Sequence, residues 1–216
     1  MSLKNKSFLL IGLILIVDQA IKITVKTNMY LGSDISVFGD WFKILFTENP
    51  GMAFGLLFGG PAGKILLVIF RIVLSVALLI YIPRIAKREG VTTGFMLGLA
   101  GICAGALGNI IDSAFYGLIF NSGTAFNSEY GAYMNYQGIS QLSLQGYAPL
   151  LHGCVVDMFY FPIIKTTYPQ WFPFWAGEEF IFFRPVFNFA DASISVSGAY
   201  ILLFQRKALN VLLKRS

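Results

Sequence analysis

Four apolar runs of about twenty residues decide what this chain can become. They lie at about 7–27, 62–83, 93–115 and 185–204. Each is near the ~20 helical residues that cross a ~30 Å hydrocarbon core. In lipid every backbone N–H and C=O must be bonded inside its own segment, so such runs fold as helices. Composition agrees: 56% of the 216 residues are hydrophobic and 12% are charged, against roughly 25% charged in soluble domains. The fold class expected is a mainly α integral membrane protein, one domain over residues 1–216, with four transmembrane helices.

The first run opens like a secretory signal, with Lys4 and Lys6 before an apolar stretch. It continues through Asp18, Gln19 and Lys22 without a small-residue cleavage site, so it reads as a retained helix. Lys4, Lys6, Arg84, Lys87, Arg88, Arg206, Lys207, Lys214 and Arg215 cluster at the two ends and in one short loop. By the positive-inside rule those three places are cytoplasmic. Loops 28–61 and 116–184 then face outward. The net charge of +5 is thus a topology signal; no basic stripe with interleaved stacking aromatics marks a nucleic-acid surface.

The outer loops have character of their own. Trp41–Phe46 is strand-like and Asn49-Pro50-Gly51 is a turn signal, so a small outward-facing β-sheet is expected over 41–58. Residues 121–150 are rich in Asn, Ser, Gly, Gln and Tyr, and read as a long polar loop. Residues 159–183 are dense in aromatics, including Trp171 and Trp175, and are broken by Pro162, Pro169 and Pro173; they read as an interfacial segment at headgroup level.

Against this apolar background the carboxylates stand out. Asp157 sits in Val155-Val156-Asp157-Met158-Phe159, and Asp191 follows Phe187-Asn188-Phe189-Ala190. An ionised Asp at a helix centre costs about 2.5–3.5 kcal/mol on insertion scales, and such groups are usually kept for use. With helix four starting at Pro185, Asp191 is about two turns in, roughly 9 Å at 1.5 Å per residue, so both carboxylates fall near the outer boundary. Two carboxylates sharing one site cannot both ionise easily; one proton is shared between them. One member can then activate a water and the other can hydrogen-bond a scissile carbonyl.

Other polar residues share these helices. Asp18 and Lys22 are four apart on one face. Asn109 and Asp112 are three apart beside Gly105 and Gly108, whose smallness admits either a neighbouring helix or an extended peptide. Asn188 and Asp191 repeat the three-residue spacing. Cys103 and Cys154 form no disulfide framework and read as packing residues. His152, the only histidine, stands in no metal-ligand spacing and no HExxH is present, so no metal site and no cofactor are expected. The residues alone leave open a proton-relaying transporter, which would spread its carboxylates through the bilayer depth, and a scaffold whose polar groups only join helices.

The order of the blocks narrows this. Asp18-Gln19-x-x-Lys22, Asn49-x-Gly51-x-Ala53-Phe54, Gly108-Asn109-x-x-Asp112, Val155-Val156-Asp157 and Phe187-Asn188-x-Ala190-Asp191-x-x-Ile194 occur in sequence. Together they resemble the five motif blocks of the lipoprotein signal peptidases, or signal peptidase II, a bacterial family. The resemblance implies a membrane-embedded aspartyl endopeptidase that removes the signal peptide of a prolipoprotein just before its lipid-modified cysteine. It implies Asp157 and Asp191 as catalytic dyad. Asp18, Lys22, Asn49, Gly51, Asn109, Asp112 and Asn188 would bind substrate or support the site. It implies a bacterial inner-membrane location, lipids and prolipoprotein as partners, and globomycin-type cyclic peptides as inhibitors, with no nucleic acid; it does not imply an oligomer.

Three departures accompany the resemblance. The family pattern ends its third block Asp-Arg, whereas here Asp112 is followed by Ser113. Arg184, at the outer end of helix four, is the expected substitute. Ala104-Gly105 stands where two glycines are common, and the stretch from Asp112 to Asp157 is longer than usual, with about 119–150 as the extra residues.

Overall fold

The computed structural model describes residues 1–51 and 60–213. Ala53 and Phe54 of the second block, and residues 52–58 of the expected sheet, lie outside the described residues.

Helix α1 runs Leu3–Asn28, started by the Ser2 hydroxyl, which accepts from the Asn5 N–H at 3.2 Å. Strands β1 (Asp34–Phe38) and β2 (Phe42–Asn49) follow, then α2 (Gly60–Ile85) and α3 (Thr93–Ile111). Thr92 caps α3 by accepting from the Phe95 N–H at 3.0 Å. The third apolar run stays helical beyond the expected end. It passes through a π-helical turn, Asp112–Tyr116, into the short α4, Gly117–Ile119. Strands β3 (Ala125–Asn127), β4 (Ala132–Met134), β5 (Val155–Tyr160), β6 (Ile164–Thr167), β7 (Glu179–Phe182) and β8 (Val186–Phe187) lead to α5 (Phe189–Phe204) and α6 (Arg206–Leu213).

Three helices, Leu3–Asn28, Gly60–Ile85 and the continuous Thr93–Ile119, are long and apolar enough to cross a membrane; Phe189–Phe204 is apolar but shorter. Their outer faces carry exposed Leu13 and Ile16 on α1, Leu66, Phe70 and Val73 on α2, and Val196 and Leu203 on α5. A soluble monomer rarely shows so much contiguous apolar surface, and the chain is membrane-embedded. Helix α3 is the inner member: α1, α2 and α5 all pack against it. Its glycines recur at 94, 98, 101, 105 and 108, on one face. A Cβ at Gly105 would overlap the Ala190 carbonyl oxygen, and one at Gly98 would lie 2.6 Å from Ile201 Cγ1. The small residues therefore serve helix–helix approach, with α5 filling the room they leave.

β1, β2, β5 and β8 form one antiparallel sheet in that order. Thr47 pairs with Asp157, Asn49 with Val155, and Phe159 with Phe187. Alternation sends Val156 and Met158 into a core with Val25, Met29, Phe46, Tyr116 and Phe120, leaving Asp157 on the other face.

Two expectations need correction. Helix four does not begin at Pro185: Val186 and Phe187 are strand, because they pair with β5, and the helix starts at Phe189. Nor are 121–150 a simple polar loop. They hold the β3–β4 hairpin and are fastened beneath by an ion pair of fully buried Lys26 with Glu48. Glu48 also accepts from the Thr124 N–H at 2.6 Å, and Lys26 lies 5.0 Å above the rings of Phe120 and Tyr136. The aromatic segment is a β6–β7 hairpin in which Tyr168, Phe172 and Trp175 stack on one another, while Trp171 and Phe174 are exposed.

Candidate active site

The site is assembled where β8 turns into α5. Asn188 caps that helix: its Oδ1 accepts from the Asp191 N–H at 2.8 Å, satisfying an N-terminal donor that has no partner inside the helix. Asp191 is therefore in the first turn of α5 and not two turns in. The three-residue spacing of Asn188 and Asp191 is that of a cap and its N3 residue, not of two neighbours on a helix face. The helix dipole favours a carboxylate at this position.

The other half of the Asn188 amide reaches across the sheet. Its Nδ2 donates to Asp157 Oδ1 at 2.7 Å and to Asn109 Oδ1 at 3.1 Å. Asn109 in turn donates through Nδ2 to Asp191 Oδ1 at 2.8 Å. Two asparagine side chains thus tie both carboxylates into one hydrogen-bonded group. β5–β8 pairing makes this possible, since Phe159 opposite Phe187 carries Asp157 and Asn188 to the same point. Burial, and then the nearby Asp191 charge, push the Asp157 carboxyl up to about 7.

Beneath the pair lies a buried charge cluster. Lys22 Nζ contacts Asp18 Oδ2 at 2.9 Å and Asp112 Oδ2 at 2.8 Å, and donates to Asn109 Oδ1 at 3.0 Å. Each partner also holds backbone. Asp18 Oδ1 accepts from the Ala190 N–H at 2.9 Å, a second cap on α5, and Asp112 Oδ2 accepts from the Val156 N–H at 3.2 Å, one residue before Asp157. Asp18, Lys22, Asn109 and Asp112, expected at the site from their spacing and from the resemblance, therefore converge on the elements carrying both carboxylates.

Asn49 shares the sheet face of Asp157, by the pairing of Thr47 with Asp157 and Asn49 with Val155. Its Oδ1 accepts from the Gly51 N–H at 2.9 Å. Gly51 has φ +102°, the left-handed region where other residues are strained. Both build the turn that ends β2. Arg184, the expected substitute for the family arginine, is exposed and donates to the Glu179 carbonyl at 3.3 Å.

Sequence reasoning assigned no role to Gln19 or Tyr116. Gln19 Nε2 donates to Asp112 Oδ1 at 2.9 Å, and Tyr116 donates to Gln19 Oε1 at 3.1 Å. An amide beside a buried Asp was the available signal. Cys154 is more than packing: its thiol, pushed up to about 11 chiefly by burial, donates to the Thr124 carbonyl at 3.1 Å and accepts from Lys64 at 3.6 Å. His152 Nδ1 sits 2.9 Å from the Leu150 carbonyl.

The architecture is that of a helical membrane protein. Two solved bacterial membrane enzymes share the fold, with TM-scores of 0.57 and 0.56 over 98% of this chain and 94% and 95% of theirs, at 20% and 22% identity. The family model for signal peptidase (SPase) II matches residues 10–206. The lipoprotein signal peptidase of Porphyromonas gingivalis is 45% identical over 206 residues, covering 94% of this chain and 84% of that protein. That of Amoebophilus asiaticus is 36% identical over 199 residues, 91% and 76% of the two chains. This chain belongs to the signal peptidase II family, and it is a membrane-embedded peptidase.

Proposed function

We propose that this peptidase cleaves lipid-modified prolipoproteins immediately before the diacylglyceryl cysteine, with Asp157 and Asp191 as its catalytic dyad. The observation that carries the reading is the double tie by Asn188, to the Asp157 carboxylate and to the Asp191 backbone N–H. It holds the two carboxylates in one hydrogen-bonded group, where strand β8 of the sheet meets the apolar helix bundle.

Asp157 holds the shared proton and donates it as a hydrogen bond to the scissile carbonyl. Asp191 takes a proton from the attacking water as its oxygen bonds to the carbonyl carbon. With the proton passed to that oxygen, the resulting tetrahedral diol collapses: the leaving amine takes the proton held by Asp191 as the C–N bond breaks, and one diol hydroxyl returns its proton to Asp157 as the carbonyl re-forms. Asn109 and Asn188 hold the carboxylates in register. No cofactor enters this scheme. A diacylated cysteine is anchored by about 0.8 kcal/mol per buried CH₂, so the bond has to be cut at the membrane surface.

In this reading α5 is the fourth span, its short length completed by half-buried β8 and buried Asn188, and the sheet and aromatic hairpin lie on the outer face of a bacterial cytoplasmic membrane. Both termini are cytoplasmic, following the basic residues. Lipid chains of the substrate lie along the exposed helix faces, and globomycin-type cyclic peptides occupy the same channel.

The test is a cleavage assay with purified protein and one prolipoprotein peptide in two forms, diacylated and with a free cysteine. The diacylated form is cut before its cysteine, and the free form at least about a hundredfold more slowly, because it lacks the anchoring of two chains. Equal rates on both forms would remove the lipid-directed reading.

A further inference from the structure

The charges of the site do not balance without another cation. Lys22 is shared by two buried carboxylates, Asp18 and Asp112, before the dyad adds its own charge. Ser113, standing where the family pattern has arginine, is buried and uncharged, and its hydroxyl donates back to the Asn109 carbonyl at 2.9 Å.

Helix α2 supplies a candidate. Its buried residues Lys64, Val68, Ser75 and Ile82 recur on one face, and Arg71 falls on that same face, half-buried. The guanidinium is within electrostatic range of Asp191, Asp157 and Asp112. Among the described residues it makes no ion pair within 4.0 Å. Ser75, one turn along, has a buried hydroxyl with no hydrogen-bond partner among the described residues. α2 and α5 both pack on α3 and, among the described residues, make little contact with each other, so Arg71 and Asp191 stand on separate helices around α3. An arginine inside an apolar helix is costly and faces an interior or a cavity when kept. Here it comes with a buried hydroxyl that has no partner among the described residues, and lies within electrostatic range of the carboxylates.

We propose that Arg71 is a substrate-anchoring residue: its guanidinium, with Ser75, binds the backbone carbonyls of the signal-peptide segment entering between α2 and α5, and stands in for the arginine replaced by Ser113. This rests on the dyad reading above. A guanidinium fork suits peptide carbonyls, and its fixed charge favours ionisation of the facing carboxylates.

The experiment is steady-state cleavage of the diacylated peptide against pH by the full-length protein, Arg71→Ala, Arg71→Lys and Arg71→Ala/Ser113→Arg. Asp157→Asn and Asp191→Asn are assayed in parallel. Arg71→Ala lowers kcat/KM about 10- to 100-fold, as expected for losing charge-assisted hydrogen bonds. Most of the loss is in KM, and the acid limb of the profile moves to higher pH. Arg71→Lys returns the acid limb but keeps a raised KM, since an ammonium lacks the fork. Adding Ser113→Arg recovers part of the lost activity. Wild-type KM and acid limb in Arg71→Ala, or in Arg71→Lys should the alanine variant not fold, overturn the proposal. So does a loss of activity that leaves both unchanged. Inactive Asp→Asn variants beside an unaffected Arg71→Ala sink only the Arg71 role, whereas active Asp→Asn variants sink the dyad itself.

Discussion

Asp157→Asn and Asp191→Asn each reduce cleavage of the diacylated peptide by at least about a thousandfold, near the upper range for removing a positioned acid or base. The change is nearly isosteric. The amide introduced by Asp157→Asn still offers an oxygen to Asn188 Nδ2, which in the wild-type chain donates at 2.7 Å to Asp157 Oδ1. The backbone N–H of residue 191 still meets its cap. What disappears is the ability to move a proton. Stability therefore stays close to wild type while turnover falls. The two losses are not additive in the double variant, since the pair acts as one unit. Product formation by mass spectrometry, with thermal unfolding in detergent as the folding control, checks both parts.

Lys22→Met produces the largest loss of stability. Lys22, Asp18 and Asp112 are all fully buried, and removing the cation leaves two buried carboxylates facing each other. Breaking a buried pair in this way costs about 3–5 kcal/mol. For a chain of this size that is a fall of roughly 10 °C in unfolding temperature. The damage reaches the dyad by two routes. Asp18 caps α5 through the Ala190 N–H, and Asp112 holds the Val156 N–H beside Asp157. Cleavage falls with stability. Adding Asp112→Asn to Lys22→Met restores part of the unfolding temperature, because one unpaired charge is gone; a double variant as unstable as the sum of the single changes would contradict the shared-cation account.

The spans were legible because lipid demands long uninterrupted apolar runs, and three of them appear within a few residues of where composition places them. The start of α5 was not. Pro185, Val186 and Phe187 are as apolar as the helix they precede, and only pairing with β5 shows that Val186 and Phe187 are strand. Asn188 was the local signal, an N-cap residue three before an acidic one, and reading it so would have moved Asp191 into the first turn. The two residues proposed as the dyad were readable from the order of the blocks. The reason the two carboxylates meet, a long-range strand pairing, was not. Polar composition hid the β3–β4 hairpin, whose anchorage depends on Lys26 from α1 and Glu48 from β2, distant in sequence. Arg71 was not singled out in the sequence. The carboxylates within its electrostatic range sit on the π-turn, β5 and α5, and no spacing rule connects them.

The shared proton can be watched directly. Infrared difference spectra across a pH titration of the wild-type protein resolve the carboxyl stretch of a buried acid as it ionises. Asp157 gives a band that disappears with a midpoint near pH 7. The band is missing in Asp157→Asn, and its midpoint moves to lower pH in Asp191→Asn, where the neighbouring negative charge is gone. A protein in which no carboxyl titrates above about pH 5, or in which the band ignores both substitutions, would contradict the dyad.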